Sequence, residues 1–287
     1  MTQRLLAVHA HPDDESSKGA GTYARYVAAG AQVLVVSCTG GERGDIQNES
    51  LAEKAMANRD MAGLRRIEMA KAQAAIGFDH LWLGYHDSGL PEGDEVVQPG
   101  SFALIPLEIS AEPLVRIIRR FRPQVVITYD ESGGYPHPDH IRTHGISVYA
   151  IEAAADASRY PGAGEPWRVS KVYYDRTFNL PKLEAMWETV TSMDLDAETL
   201  EFMEQMRERM KDRPDLATSH IDVGDFLEVR DEALRAHASQ VAPDSRFFFW
   251  PNESVREAWP YEDYQLASSL VDTDKPESDL FAGIPED

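Results

Sequence analysis

The sequence predicts an α/β fold, a Rossmann-like three-layer sandwich with a mostly parallel sheet, followed by a mainly helical C-terminal region. Three observations carry that prediction. Across residues 1–178, short apolar runs of strand length alternate with longer segments whose apolar residues recur at helical spacing. Glycine or proline punctuates the ends of the helical segments, at Gly30, Gly77 and Pro123. Two turns crowded with histidine and aspartate each follow a predicted strand, and the carboxyl ends of strands are where open α/β sheets bind ligands.

In chain order, Leu5–His9 is the first strand, and Ser16–Ala29 is a helix closed by Gly30. Gln32–Cys38 is the second strand, stopped by Gly40-Gly41 and followed by the loop Glu42-Arg43-Gly44-Asp45. A long helix is expected over Leu51–Ile76, a third strand over His80–Leu83, and then a Gly/Pro-rich loop holding His86-Asp87-Ser88-Gly89. Ala111–Phe121 reads as a helix, Val125–Tyr129 as the fourth strand, His140–Ala157 as a helix and Val172–Tyr174 as the fifth strand. Right-handed crossovers and a strand order of 3-2-1-4-5 put the first and fourth strands side by side at the topological switch point.

Beyond Asp175 the pattern weakens. Lys182–Val190 and Ala197–Lys211 read as helices whose Leu, Met, Phe and Trp stripes suit a core. Ser219–Val223 is a candidate strand, Asp225–Ala236 a helix, and the acidic, proline-bearing tail from Asp272 an extended surface segment. No linker splits the chain. The expectation is one domain over 1–287, with its core in about 1–178 and a substrate-shaping region in about 179–287.

Composition bounds the function. There are 49 acidic against 28 basic residues, for a formal charge of −21, which repels phosphate backbones and argues against nucleic acid as a partner. The single cysteine, Cys38, excludes an intrachain disulfide and a thiolate metal cluster. No apolar run is long enough to span a bilayer and no signal segment precedes the first strand, so no membrane association and a cytoplasmic location are expected.

The chemistry concentrates in His9-Ala10-His11-Pro12-Asp13-Asp14-Glu15 and Tyr135-Pro136-His137-Pro138-Asp139-His140. His11 and Asp14, three residues apart, can converge on a divalent cation through one nitrogen and one oxygen, with Asp13 beside it to take a proton from an attacking water. Acids at a helix start also serve as caps, and the first turn alone does not separate the two roles. The second turn tips the balance, because two such turns, each after a predicted strand, are not accounted for by capping alone. A set of two histidines and one carboxylate suits a zinc hydrolase or a non-haem iron oxygenase, and the spare Asp13 favours hydrolysis. A metal-dependent sugar-binding module without turnover is the third reading. Gly19-Ala20-Gly21-Thr22-Tyr23-Ala24 fits a dinucleotide fingerprint, but its glycines fall inside a helix and the second strand ends on Thr39 rather than an acid. Glu42, Arg43, Asp45, Arg65 and Asp87 lie near the same edge and can meet hydroxyls of a polar small molecule. His9 reads as a structural histidine, His237 fits either role, and Lys18 can reach over the site or lie in water.

These two motifs, with Thr39-Gly40-Gly41-Glu42-Arg43-Gly44, Ala236-His237-Ala238-Ser239-Gln240 and Leu280-Phe281-Ala282-Gly283-Ile284, resemble the metal-dependent N-acetylglucosaminyl-phosphatidylinositol de-N-acetylase (LmbE-like) family. The resemblance implies an amide hydrolase holding Zn2+, or alternatively Fe2+, on His11, Asp14 and His140. It makes Asp13 the general base, His137 the group that protonates the leaving amine or steadies the intermediate, Tyr135 a mobile oxyanion donor and Asp139 the carboxylate that orients His137. It implies sugar-hydroxyl contacts from Arg65, Asp87 and Asp45, the last where relatives often carry glutamate. Lys18, the loop carrying Pro91 and the helices after Leu180 are expected to shape the acyl side of the substrate pocket.

Overall fold

A computed structural model describes residues 2–177, 179–190 and 197–285. Seven strands form one sheet in the order β3-β2-β1-β4-β5-β7-β6. They are β1 (Arg4–His9), β2 (Gln32–Thr39), β3 (Asp79–Tyr85), β4 (Val125–Thr128), β5 (Lys171–Asp175), β6 (Ser219–Asp222) and β7 (Tyr261–Ser269). The expected 3-2-1-4-5 parallel arrangement is present, with β1 paired to both β2 and β4. β7 then joins β5 antiparallel, and β6 joins β7 antiparallel.

Burial on both faces explains why β1 and β2 read as continuous apolar runs. Leu5 and Ala7 of β1 pack with Tyr23, Met69 and Tyr173, while Leu6 and Val8 pack with Leu114, Ile118, Ile146 and Ala150. The helices are α1 (Asp14–Lys18), α2 (Ala20–Ala28), α3 (Lys54–Arg59), α4 (Met61–Ile76), α5 (Leu107–Phe121), α6 (Pro138–Ala155), α7 (Leu180–Val190), α8 (Ala197–Lys211), α9 (Leu227–Ala236) and α10 (Asn252–Ala258). None of the described helices is long and apolar enough to cross a membrane.

Four expectations are corrected. The first helix is two, broken at Gly19, where the backbone leaves helical geometry at φ −169°; a Cβ there would lie 2.4 Å from the Tyr23 ring, whose hydroxyl reaches His9 Nε2 at 2.8 Å, so the position suits glycine. The second is also two, broken at Asp60, whose carboxylate caps α4 by accepting from the Gly63 N–H at 2.8 Å. The strand β7 went unpredicted. The tail is not a surface segment: Leu280 is fully buried, and Glu277 accepts from Lys171, from the Tyr173 hydroxyl at 2.8 Å and from the Ser219 hydroxyl at 2.7 Å.

The N-terminus of α2, inside the Gly19–Ala24 stretch, is filled by Glu262 of β7. Its carboxylate accepts from the Gly21 N–H at 3.0 Å and the Thr22 N–H at 2.8 Å.

Candidate metal centre and active site

The turn after β1 is held in an uncommon conformation. Asp13 has φ 116°, a left-handed value that costs a non-glycine residue about 1–3 kcal/mol and persists only where neighbours enforce it. Glu15 enforces it, accepting from the Asp13 N–H at 2.9 Å and from the Ser16 hydroxyl at 2.5 Å. His237 Nε2 lies 2.6 Å from the other side of the same carboxylate, and both residues are fully buried. Burial pushes the Glu15 carboxyl up, but His237 and the hydrogen bonds outweigh it and hold it down to about 2. The strain presents the Asp13 carboxylate toward the crevice, 27% exposed, with Arg65 Nη2 donating to it at 2.9 Å.

Asp14 lies one residue on. Its Oδ2 accepts from the His11 N–H at 2.9 Å and the Tyr129 hydroxyl at 2.8 Å, and its Oδ1 takes Lys18 Nζ at 2.5 Å. Burial opposes the carboxylate's charge, but Lys18, His140 and His11 hold its pKa well below the ordinary range.

The second turn brings His140 to the same point. Gly133 has φ 73°, and a Cβ there would sit 2.6 Å from the His140 Cβ, so only glycine fits. Its carbonyl lies 3.0 Å from His140 Nδ1 and accepts that N–H, which leaves the Nε2 lone pair facing inward. His137 caps α6, accepting the Asp139 N–H on Nδ1 at 3.1 Å, so its proton resides on Nε2. Pro138 occupies the first turn of α6, where its missing N–H costs nothing.

His11 Nδ1 lies 3.7 Å and His140 Nε2 3.4 Å from Asp14 Oδ2. The ligand atoms of these three residues fall within 4.8 Å of one another, and all three are buried. The donor set fits a divalent metal on its own evidence: His140 Nε2 is buried without a hydrogen-bond partner, an expensive state unless something binds there. Burial holds His140 down to about 3, so the ring is neutral and free to ligate. For His11, burial is outweighed by the carboxylates of Asp139, Asp87 and Asp14, which raise it to about 10. A metal ion entering here displaces that proton.

Three expected roles are redrawn by hydrogen bonding. Asp139 does not hold His137 through its carboxylate; being second in α6, it turns its N–H to that ring and its Oδ2 to His11 Nε2 at 3.2 Å and the Ser88 N–H at 2.9 Å. Asp87 is only 4% exposed and lies behind His11, its Oδ1 3.7 Å from His11 Nε2 and 2.8 Å from the Gly89 N–H. Arg65, 3% exposed, donates to Asp13 and to the carbonyls of Pro12 and Gly41 rather than opening onto the crevice.

The remaining residues stand where the pattern put them or close by. Asp45 is exposed on the loop after β2. Tyr135, 44% exposed, leans over His140 with ring centroids 4.5 Å apart. Lys18 is paired to Asp14 rather than lying in water. His9 is structural, fully buried between the hydroxyls of Tyr23 and Tyr129. The sequence reading missed Tyr129, whose place at the end of a strand beside the switch point was the available signal, and left the Glu15–His237 pair unread because 222 residues separate its members.

The chain is similar to known proteins over nearly its whole length. The family model described as GlcNAc-PI de-N-acetylase (PIG-L) matches residues 6–151. The mycothiol S-conjugate amidase of Streptomyces coelicolor is 49% identical over 285 residues, covering 98% of this chain and 97% of that one. The 1D-myo-inositol 2-acetamido-2-deoxy-alpha-D-glucopyranoside deacetylase of Streptomyces scabiei is 38% identical, covering 98% of this chain and 90% of that one. Among solved structures, the N,N'-diacetylchitobiose deacetylase of Pyrococcus horikoshii shares the fold, with a TM-score of 0.62 at 19% identity over 92% of this chain and 83% of that one. The chain belongs to the GlcNAc-PI de-N-acetylase (PIG-L) family and is a hydrolase of amide bonds.

Proposed function

We propose that the chain is a metal-dependent amidase that cleaves mycothiol S-conjugates, thiol conjugates of small molecules, to a mercapturic acid and glucosaminyl-inositol. The role is detoxification. Convergence of His11, Asp14 and His140 beside the strained Asp13 supports the chemistry, and the near-full-length similarity to an amidase of that substrate supports the choice of amide. We read 1–287 as one cytoplasmic domain, since β6 and β7 complete the sheet begun by β1–β5.

His11, Asp14 and His140 would hold the metal, zinc by preference for this donor set with iron(II) the alternative. When bound, such an ion supplies Lewis acidity that makes water a nucleophile near neutral pH and polarises a carbonyl. Asp13 accepts the proton of the attacking water, and Arg65 keeps its carboxylate aimed. Tyr135 donates to the developing oxyanion from the rim. Asp13, having taken the proton of the water, delivers it to the leaving amine, while His137, neutral with its N–H on Nε2, donates a hydrogen bond that steadies the intermediate. Asp139 and Asp87 fix the His11 ring from behind. Asp45 contacts a hydroxyl of the amine half.

The second reading, an N-acetylglucosaminyl-inositol deacetylase, is supported by the 38% identical relatives. A direct competition between the two amides, with both acyl products quantified, separates them. Mercapturic acid should dominate; dominant acetate release refutes the amidase assignment. Oxygen uptake would mark an oxygenase, and absence of any released amine a binding module.

A further inference from the structure

Lys18, paired to Asp14, also lines a cavity of about 360 Å³. Leu183 and Met186 of α7, Met203 and Met206 of α8, Leu227 of α9 and Trp250 wall it. Its volume lies in the range of pockets that enclose whole drug-sized groups, far more than an acetyl methyl needs. The loop carrying Pro91 contributes no wall among the described residues.

Sheet order gives the cavity a side. Its lining includes Thr177 after β5, Val223 after β6 and Glu262 of β7, all beyond β4 from the centre. The exposed polar residues Arg43 and Asp45 follow β2, on the opposite side of β1. A substrate lying across the metal ligands therefore has one half over a polar loop and the other over an apolar cavity.

We infer that this cavity receives the apolar S-substituent of the conjugate, while the polyhydroxylated amine half lies toward the loop after β2. The inference rests on the amidase reading and specifies its substrate class: thioethers bearing aryl or bulky alkyl groups. Of the groups in such a conjugate, only the S-substituent is apolar enough to displace water from these walls favourably. Three methionines suit varied occupants, because their unbranched, polarisable side chains repack around different shapes and make favourable contacts with aromatic rings. The cavity thus selects for hydrophobicity and size more than for a particular shape.

The test compares S-benzyl and S-methyl conjugates of mycothiol with the wild-type enzyme and Met206→Glu, a half-buried position. Burying the added ring should raise kcat/KM for the S-benzyl conjugate roughly 10–100-fold over the S-methyl one. Met206→Glu should lower that ratio at least tenfold; a ratio is insensitive to the fraction of folded enzyme. A second measurement needs no variant: S-benzyl-N-acetylcysteine should inhibit the wild type more tightly than S-methyl-N-acetylcysteine by a similar factor. A wild-type ratio near one, a ratio unmoved by Met206→Glu, or equal inhibition by the two acids overturns the cavity assignment with the amidase reading intact. Failure to cleave either conjugate, with acetate still released from N-acetylglucosaminyl-inositol, overturns the amidase reading and the assignment with it.

Discussion

Replacing Gly133 by alanine tests whether the loop before α6 sets the metal site, and Gly134→Ala supplies its control. Both glycines are left-handed, at φ 73° and 76°, so each alanine carries the same backbone cost of about 1–2 kcal/mol. They differ in what the new methyl meets. At 133 it would lie 2.6 Å from the His140 Cβ and 3.0 Å from the backbone of His140 and Ile141; at 134 nothing lies within 4 Å. Backbone cannot move aside as a side-chain tip can, so Gly133→Ala must push the first turn of α6 away. That shift breaks the contact between the Gly133 carbonyl and His140 Nδ1, now 3.0 Å, which fixes the ring's tautomer and direction. Loss of such an outer contact typically weakens metal binding 10–100-fold. Calorimetry should show a Tm loss of a few degrees for both variants. Competition with a chromophoric chelator should show weakened metal binding for Gly133→Ala and near-normal binding for Gly134→Ala. Equal affinities in the two variants would refute the argument.

Three further outcomes follow from the same geometry. Asp13→Asn should keep its metal yet lose activity by roughly 10²–10⁴-fold, as for a removed general base; near-normal turnover with metal bound removes Asp13 from that role. His237→Ala leaves Glu15 buried without its 2.6 Å partner, which should cost about 3–5 kcal/mol in stability and, by freeing the Asp13 backbone, lower kcat in the folded fraction. An unchanged Tm in denaturation would show that the pair is not charged. Glu277→Gln addresses the tail. Burial pushes the Glu277 carboxyl up, but Lys171, Ser219 and Tyr173 outweigh it and hold the pKa below its ordinary value. A depressed acid contributes stability that is complete above its unfolded pKa of about 4.5 and is lost as pH falls through the folded value. The variant should therefore be less stable than wild type at pH 7, with the gap narrowing below about pH 4.5; a gap independent of pH sinks the ion-pair account.

The parts of this fold legible in the sequence were those that local pattern determines. β1, β2 and β4 are buried on both faces, so apolar runs disclosed them, and alternation with helices disclosed their order. His11, Asp14, His137 and His140 stood out because unusual residue types cluster at strand ends on the two sides of the switch point, and the family resemblance narrowed the ligands to His11, Asp14 and His140. What stayed hidden depends on partners distant in sequence. Helical spacing continues through Gly19, and the packing of the Tyr23 ring against that glycine is not visible in it. β7 is largely polar and becomes a strand by pairing with β5 and β6. The tail's acids suggested a solvated surface, yet one of them, Glu277, meets Lys171 in the core. For Arg65, Asp87 and Asp139, residue type placed a charge at the right edge but could not say whether it faced ligand or supported a neighbour. Hydrogen bonds decide that, and here all three support a neighbour.

The division between chemistry and selectivity follows the chain. Every proposed ligand and proton carrier, from His11 to His140, falls within the segment 6–151 that the family shares. The walls of the apolar cavity fall almost wholly outside it, on α7, α8, α9, the segment 245–259 and the sheet extension β6–β7, and among the described residues only Ser17 and Lys18 come from within. Lys18 belongs to both halves: it lines the cavity and neutralises the outer oxygen of Asp14. Substitutions in α7 or α8 can therefore retune which acyl group is accepted while the ligand geometry stands, because among the described residues the side chains of His11, Asp14 and His140 are held by Asp139, Lys18, Tyr129 and the Gly133 carbonyl, none of them in those helices. A change at Lys18 cannot separate the two, since it alters the charge on a ligand carboxylate together with the cavity rim.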